Sequence, residues 1–409
     1  MKIAFLIPQN VIGGGILVVY HHAAYLKKSG HDVLIIYREY KPERDKNIIS
    51  EFELPFADFE KMSVNDYHFD VIFGTWWATL YDIFVFNARN YFYLVQDDER
   101  RFYEDKSAPE IRFCELTYSF PAIGIITVAT WLQTLMNKEN GGNPKVAING
   151  YDPLKFYPKE GLERPVTKLR VLVEGPGKVW FKRLDDCFKA LQDISDIEVW
   201  FVSRDGYREP GWHIDKFFVN VTVGALREIY CSCDVLLKMS EMESFCLPNL
   251  EMMACGGTII TTDFTGHEEY AVDGYNSLVI PVRGIEAAHN AVIKLRDDNL
   301  LLERLKQNAL ITAGSMTWAG GNKKFEKALE ELMEEFRDYD YKGLKRIFLE
   351  LRGLLLTTTA IRAEKMKLES DYNALFFQFH RNEYRAFRFI GRLLYKIPGL
   401  GFLLRKMMA

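Results

Sequence analysis

Residues 240–257, Ser-Glu-Met-Glu-Ser-Phe-Cys-Leu-Pro-Asn-Leu-Glu-Met-Met-Ala-Cys-Gly-Gly, constrain the fold more than any other stretch of the chain. An apolar run at 234–239 reads as a strand before it, and 258–262 reads as a strand after it. Between them, Leu247 to Ala254 holds helix formers and no β-branched residue. Pro248 falls in the first turn, where its missing N–H would have been unpaired anyway. Gly256 and Gly257 fall where a helix stops. The order is therefore strand, short loop, helix, stop, strand.

Two glutamates bracket the loop in an E-x7-E spacing: Glu243 before the helix and Glu251 one turn inside it. A helix N-terminus presents unpaired N–H groups and a partial positive charge, which suit a phosphate. Carboxylates beside it accept from hydroxyls. Taken singly, each glutamate reads as a solvated surface residue. Together with the helix start they describe a sugar-nucleotide site.

The run from Glu243 to Gly257 resembles the E-x-F-G-L-x-x-L-E-A-M-A-C-G-x-P signature of the retaining glycosyltransferases of family 4. Thr265 to Pro281 is similar to that family's G-G-x-x-E-x-x-x-D-G-x-N-G-x-x-V-P, and Asn149 to Pro158 resembles its N-G-V-D-x-x-x-F-x-P. The resemblance covers roughly residues 1–337. It implies an α/β GT-B fold, with two Rossmann-like doubly wound domains facing across a cleft. These would be an acceptor domain at 1–160 and a nucleotide-sugar domain at 165–337, whose final helix crosses back. A basic helical tail at 338–409 lies outside the resemblance.

The chain has 409 residues, enough for about two domains of ordinary size. At 48% hydrophobic and 26% charged it has an ordinary soluble profile, and its net charge of −4 gives no bulk attraction for nucleic acid. The six cysteines form no C-x-x-C pair, and Cys231 and Cys233 have no histidines nearby to complete a zinc site. No signal peptide is read at the N-terminus, and no run approaches the ~20 apolar residues of a spanning helix. The expectation is a cytoplasmic protein, either free or peripheral on the inner face of the membrane.

Taken in order, residues 2–7 read as a buried strand, followed by Gly13-Gly14-Gly15, a helix from Ile16 to Leu26, and a strand at 32–37. This opens a doubly wound domain. The glycines permit a close backbone approach to a ligand or make a tight turn, and the sequence leaves both open. The resemblance puts Gly14 and Gly15 opposite the donor. Further strands at 70–77, 91–95, 123–128 and 145–148 alternate with helices, which argues for a parallel sheet. Asp97 and Asp98 follow a strand end and read either as acceptor-side contacts or as a helix N-cap. The family often has a His-Asp pair here; this chain has Gln96 in place of that histidine.

In the second half, a strand at 169–173 runs into Glu174-Gly-Pro-Gly-Lys-Val-Trp-Phe-Lys-Arg183. Cations on a glycine loop that opens a helix make a plausible diphosphate seat. The family reads G-R-x-x-x-x-K-G at this place, with Arg and Lys on the donor's phosphates. Lys182 matches the Lys, and Pro176 stands at the Arg position. Lys178 is the nearest substitute, or a solvated surface lysine. The resemblance further implies that Ser244, Phe245, Cys246 and Leu247 face the donor, that the base sits near Gly224, that Glu243 contacts the sugar's hydroxyls, and that Glu251 contacts the ribose diol. Helices are expected at 226–230, 285–296, 300–313 and 322–337.

Residues 341–409 hold fourteen Lys and Arg against five Asp and Glu. From Tyr384 to Lys396 the pattern is amphipathic, with Arg385, Arg388, Arg392 and Lys396 on one stripe and Pro398-Gly399 as the stop. That fits an anionic membrane surface, or packing on the protein's own acidic body or on a second subunit in a homo-oligomer.

The function these readings imply is transfer of a sugar from a nucleotide-diphosphate sugar to a hydroxyl of a glycan or lipid-linked acceptor, with no cofactor and no metal. A nucleotide-sugar epimerase of the same fold and a non-catalytic sugar-nucleotide-binding scaffold are the alternatives.

Overall fold

Strands that are apolar on both faces require helices on both sides, and the chain forms two such sheets. The computed structural model describes residues 1–9, 13–39, 50–159 and 168–394, from 374 onward as backbone. The first sheet contains β1 (Lys2–Gln9), β2 (Asp32–Glu39), β3 (Phe56–Asp58), β4 (His68–Gly74), β5 (Asn87–Val95), β6 (Gly124–Thr127) and β7 (Lys145–Val146). Its order is β3-β2-β1-β4-β5-β6-β7, parallel throughout. The second contains β8 (Leu169–Glu174), β9 (Ile197–Ser203), β10 (Lys216–Val219), β11 (Val235–Lys238), β12 (Thr258–Thr262) and β13 (Ser277–Ile280), in the parallel order β10-β9-β8-β11-β12-β13. Strand order reverses between β1 and β4, and again between β8 and β11. In open parallel sheets ligands bind at such reversals, beyond the carboxyl ends of the strands.

The two halves are tied by motifs far apart in sequence. Tyr151 N–H donates to the Met316 carbonyl at 3.0 Å, and Trp318 N–H donates to the Tyr151 carbonyl at 2.9 Å. A Cβ on Gly150 would lie 2.3 Å from the carbonyl carbon of Thr317, so only glycine permits this approach. From there the helix Trp318–Glu335 crosses back onto the first half. Phe325 stacks on His22 at 4.1 Å, and Asn322 bonds the His22 ring at 2.8 Å. Burial pushes the His22 imidazole down to about 4, so it packs as a neutral ring.

Several expected bounds shift. The helix read at 226–230 is Val223–Ser232, and the strand Lys216–Val219 precedes it. The helix Pro109–Tyr118 has no counterpart in the sequence reading. The chain divides into two units, the first Met1–Leu349 and the second starting at Glu350. Residues 341–348 pack in the first. Phe348 stacks on Phe84 at 4.2 Å, and the Lys345 ammonium donates to the Phe86 carbonyl at 2.8 Å.

The second unit is helical as far as it is described. Leu354, Ile361 and Leu368 are exposed along it. The amphipathic stretch from Tyr384 is helical backbone as far as Leu394; Lys396 and the Pro398-Gly399 stop lie outside the described residues. Among the described residues no helix is long and apolar enough to cross a membrane.

Candidate functional site

The carboxyl ends of β1, β4 and β5 face those of β8 and β11 across a cavity of about 490 Å³. The first half contributes Gly13–Gly15, Trp76, Gln96, Asp97 and Glu99; the second contributes Gly175, Pro176, Lys182, Lys238 and the run Met242–Pro248.

On the second-half wall Glu243 is the hub. The Lys182 ammonium donates to its Oε1 at 2.7 Å, and the Ser240 hydroxyl to the same oxygen at 2.8 Å. Burial alone would push this carboxyl up, but Lys182 and Lys238 pull harder and hold it below the ordinary carboxylate value. Glu243 is therefore an ionised acceptor at neutral pH. Two residues later the backbone turns sharply. Cys246 caps the helix Leu247–Ala254 at φ 64°, a left-handed conformation, and the signature has glycine at this position. Leu247, whose N–H has no partner within that helix, lines the cavity; Pro248 has no N–H, and the Asn249 N–H bonds the Cys246 carbonyl at 3.2 Å.

On the first-half wall Asp97 is buried and reaches across. Its Oδ2 accepts from the Ser244 hydroxyl at 2.6 Å, and its Oδ1 lies 3.1 Å from the Arg101 guanidinium. Arg101 also donates to Thr265 Oγ1 at 2.6 Å and to the Glu243 carbonyl at 3.3 Å. The Trp131 indole N–H donates to the Ser244 carbonyl at 2.9 Å. These bonds clasp the two halves along one side of the cleft. Burial pushes the Asp97 carboxyl up to about 6, against the opposing pull of Arg101 and Ser244.

The remaining expected residues divide. Gly14, Gly15, Ser244, Phe245, Cys246 and Leu247 line the cavity with Glu243, Lys182 and Asp97. Asp98 does not: it takes the N-cap alternative, accepting from Arg100 N–H at 3.3 Å and pairing with the Arg100 side chain at 2.7 Å. Lys178 is exposed and lies over the Tyr207 ring at 5.5 Å, in a separate surface groove with Trp180 and Trp212. Neither Gly224 nor Glu251 is among the cavity's lining residues. Glu251 sits beside it, near Glu174 and Tyr230. Loss of solvent and the Glu174 carboxylate push it up to about 8, so its carboxyl is largely protonated at neutral pH.

Three lining residues escaped the sequence reading. Lys238, at the end of β11, is 2% exposed. Glu174, at the end of β8, is 3.5 Å from the Lys238 ammonium. Glu99 is 1% exposed; its Oε2 accepts from Tyr93 and from Trp77 N–H, while Oε1 has no partner. A lysine inside an apolar strand run was the available signal for Lys238. Glu99 looks from sequence like any loop acid. Among the described residues no group of three or more His, Cys, Asp or Glu is placed to hold a metal ion.

Residues 215–311 match the family described as glycosyl transferases group 1. Similar solved structures include sucrose-phosphate synthase from Thermosynechococcus elongatus, 16% identical, with a TM-score of 0.67 over 82% of this chain and 100% of that one. The fold is GT-B. Anabaena HepE in complex with UDP-glucose is likewise 16% identical, with a TM-score of 0.67 over 81% of this chain and 100% of that one. An uncharacterized glycosyltransferase of Methanocaldococcus jannaschii is 28% identical over 85 residues, which are 20% of this chain and only 22% of that relative. Together the family match and the GT-B fold support a glycosyltransferase, and the matched segment spans β10 to β13 with the E-x7-E helix between them.

Proposed function

We propose that the chain moves a sugar from a nucleotide-diphosphate sugar to a hydroxyl of a glycan or lipid-linked acceptor, retaining the anomeric configuration and without a metal. The observation that carries this reading is the Lys182–Glu243 pair, 2.7 Å apart, on the cavity wall beside the start of the helix Leu247–Ala254. An ammonium beside the positive end of a helix suits a diphosphate, and an ionised carboxylate suits sugar hydroxyls. The complex of HepE with UDP-glucose supports a nucleotide-sugar donor.

In the step itself the bond from the sugar's C1 to the phosphate oxygen breaks, and its electron pair stays on that oxygen. The acceptor oxygen forms the new bond to C1, and its proton passes to the departing phosphate on the same face. Lys182 and the helix start stabilise the growing phosphate charge. Glu243 holds the sugar hydroxyls, Asp97 orients the acceptor side, and Glu251 takes the ribose diol, where a protonated carboxyl both donates and accepts.

Calorimetry with nucleoside diphosphates and a transfer assay test these roles. Glu251→Ala weakens nucleotide binding, while Glu243→Ala lowers turnover by about a hundredfold with a smaller change in binding. Unchanged values in both variants would contradict the site. Donor conversion with no acceptor present would instead favour an epimerase.

A further inference from the structure

We propose that Lys238 is a second cation for the donor's diphosphate, acting on the sugar-side phosphate in place of the arginine that the loop lacks at Pro176. The inference rests on the nucleotide-sugar reading above and names one more residue that executes it.

Lys238 is 2% exposed, yet it lines the cavity. Of its three N–H donors one bonds the Glu174 carbonyl at 2.8 Å, and the nearest carboxylate oxygen, Glu174 Oε2, lies at 3.5 Å. No other hydrogen bond to this ammonium occurs among the described residues. Burial opposes its charge, but Glu174 and then Cys246 and Glu243 outweigh that and hold it protonated. A buried cation with spare donors beside an open cavity is costly unless something anionic completes its shell.

Its position fits that completion. A Cβ built on Gly175 would sit 3.9 Å from the Lys238 nitrogen, so the ammonium lies against the loop one residue from Pro176. Pro176 itself offers neither charge nor N–H. Lys182, Lys238 and Glu243, the carboxylate assigned to the sugar's hydroxyls, line one cavity, and both lysine charges favour the ionised carboxylate. On that reading Lys238 serves the sugar-side phosphate. A strand end at the sheet's reversal holds it more rigidly than a loop arginine would be held.

A buried lysine paired with Glu174 has a plain structural alternative, and the test separates the two. Binding of UDP, GDP and ADP to the wild type is measured by calorimetry, and the tightest diphosphate is compared with its own monophosphate. Lys238→Met leaves Glu174 unpaired and endangers folding, so the double variant Lys238→Met with Glu174→Gln, which buries no lone charge, is measured beside it. The diphosphate weakens about tenfold to a hundredfold in the variants while the monophosphate changes by less than about threefold. Equal weakening of both ligands, or no weakening of either, overturns the proposal while leaving the nucleotide-sugar reading intact. A wild-type protein that binds none of the three diphosphates overturns both.

Discussion

Both halves of the body are parallel sheets whose order reverses beside the cleft, yet the two reversals carry different side chains. At the first, the cavity meets the backbone of Gly13–Gly15 and the acids Asp97 and Glu99; among the described residues no lysine or arginine of that half lines it. At the second it meets Lys182 and Lys238, with Glu174 and Glu243 as their counter-ions. The fold supplies a ligand-sized gap at both places. The charges at equivalent positions differ, and on the proposed reading the diphosphate lies against the half that carries the lysines.

That division can be broken directly. Lys182→Ala should weaken nucleoside diphosphate binding about tenfold to a hundredfold, the range of one or two charge-assisted hydrogen bonds. Glu243 keeps the Ser240 hydroxyl as a partner in this variant, so it is not left without a donor. Asp97→Asn should leave the same affinity within about twofold, because its carboxylate is engaged by Ser244 and Arg101 and a negative group does not hold phosphate. Calorimetry on both variants decides it. Equal losses would mean that the halves do not divide the ligand as their charges suggest.

The sequence carried most of the second half and less of the first, for a physical reason. The loop and helix from Glu243 to Ala254 were legible because helix start, helix stop and acid spacing are local signals, and the helix Leu247–Ala254 begins and ends where they place it. The loop 174–183 was legible through Lys182, which lines the cavity. Lys238 and Glu174 were not, because their meaning comes from the pairing of β8 with β11, 64 residues apart in sequence. Asp97 and Asp98 are adjacent and chemically alike, and only the turn at Glu99–Phe102 separates their roles. One carboxylate caps that turn and the other reaches across to Ser244. Phe348 stacks on Phe84, a contact that no pattern along the chain announces.

The clasp sharpens the comparison through pH. Burial raises the Asp97 carboxyl from 3.8 in the unfolded chain to about 6 in the folded one. A raised folded value means that the protonated form is the better buried one. The stability this group contributes is therefore fully present below about 4 and is lost as pH rises through about 6. Asp97→Asn removes that titration. Its melting temperature relative to wild type should rise between pH 4 and pH 7, by an amount limited by the compensating pull of Arg101. A flat difference over this interval would place the Asp97 carboxyl in water, free of the contact with Ser244.

The smallest effect concerns the two loops that open helices onto the cavity, which invert what their composition suggests. Gly14 has no left-handed backbone angle, and a Cβ there meets nothing within 4 Å, so the fold itself does not require glycine. Gly14→Ala should raise stability by roughly 0.5–1 kcal/mol, as alanine ordinarily does over glycine in a helix. Cys246 is the reverse, a side chain held at φ 64° where glycine would be unstrained. Its thiol is buried, so Cys246→Gly and Cys246→Ala both lose that packing, and only the glycine variant also loses the strain. The glycine variant should therefore be the more stable of the two by about 1 kcal/mol, opposite to the order at Gly14. Denaturant melts of the three variants compare them directly. If alanine wins at both positions, the turn at Cys246 is relaxed. If glycine wins only at 246, the reason for glycine at position 14 lies with the ligand and not with the fold.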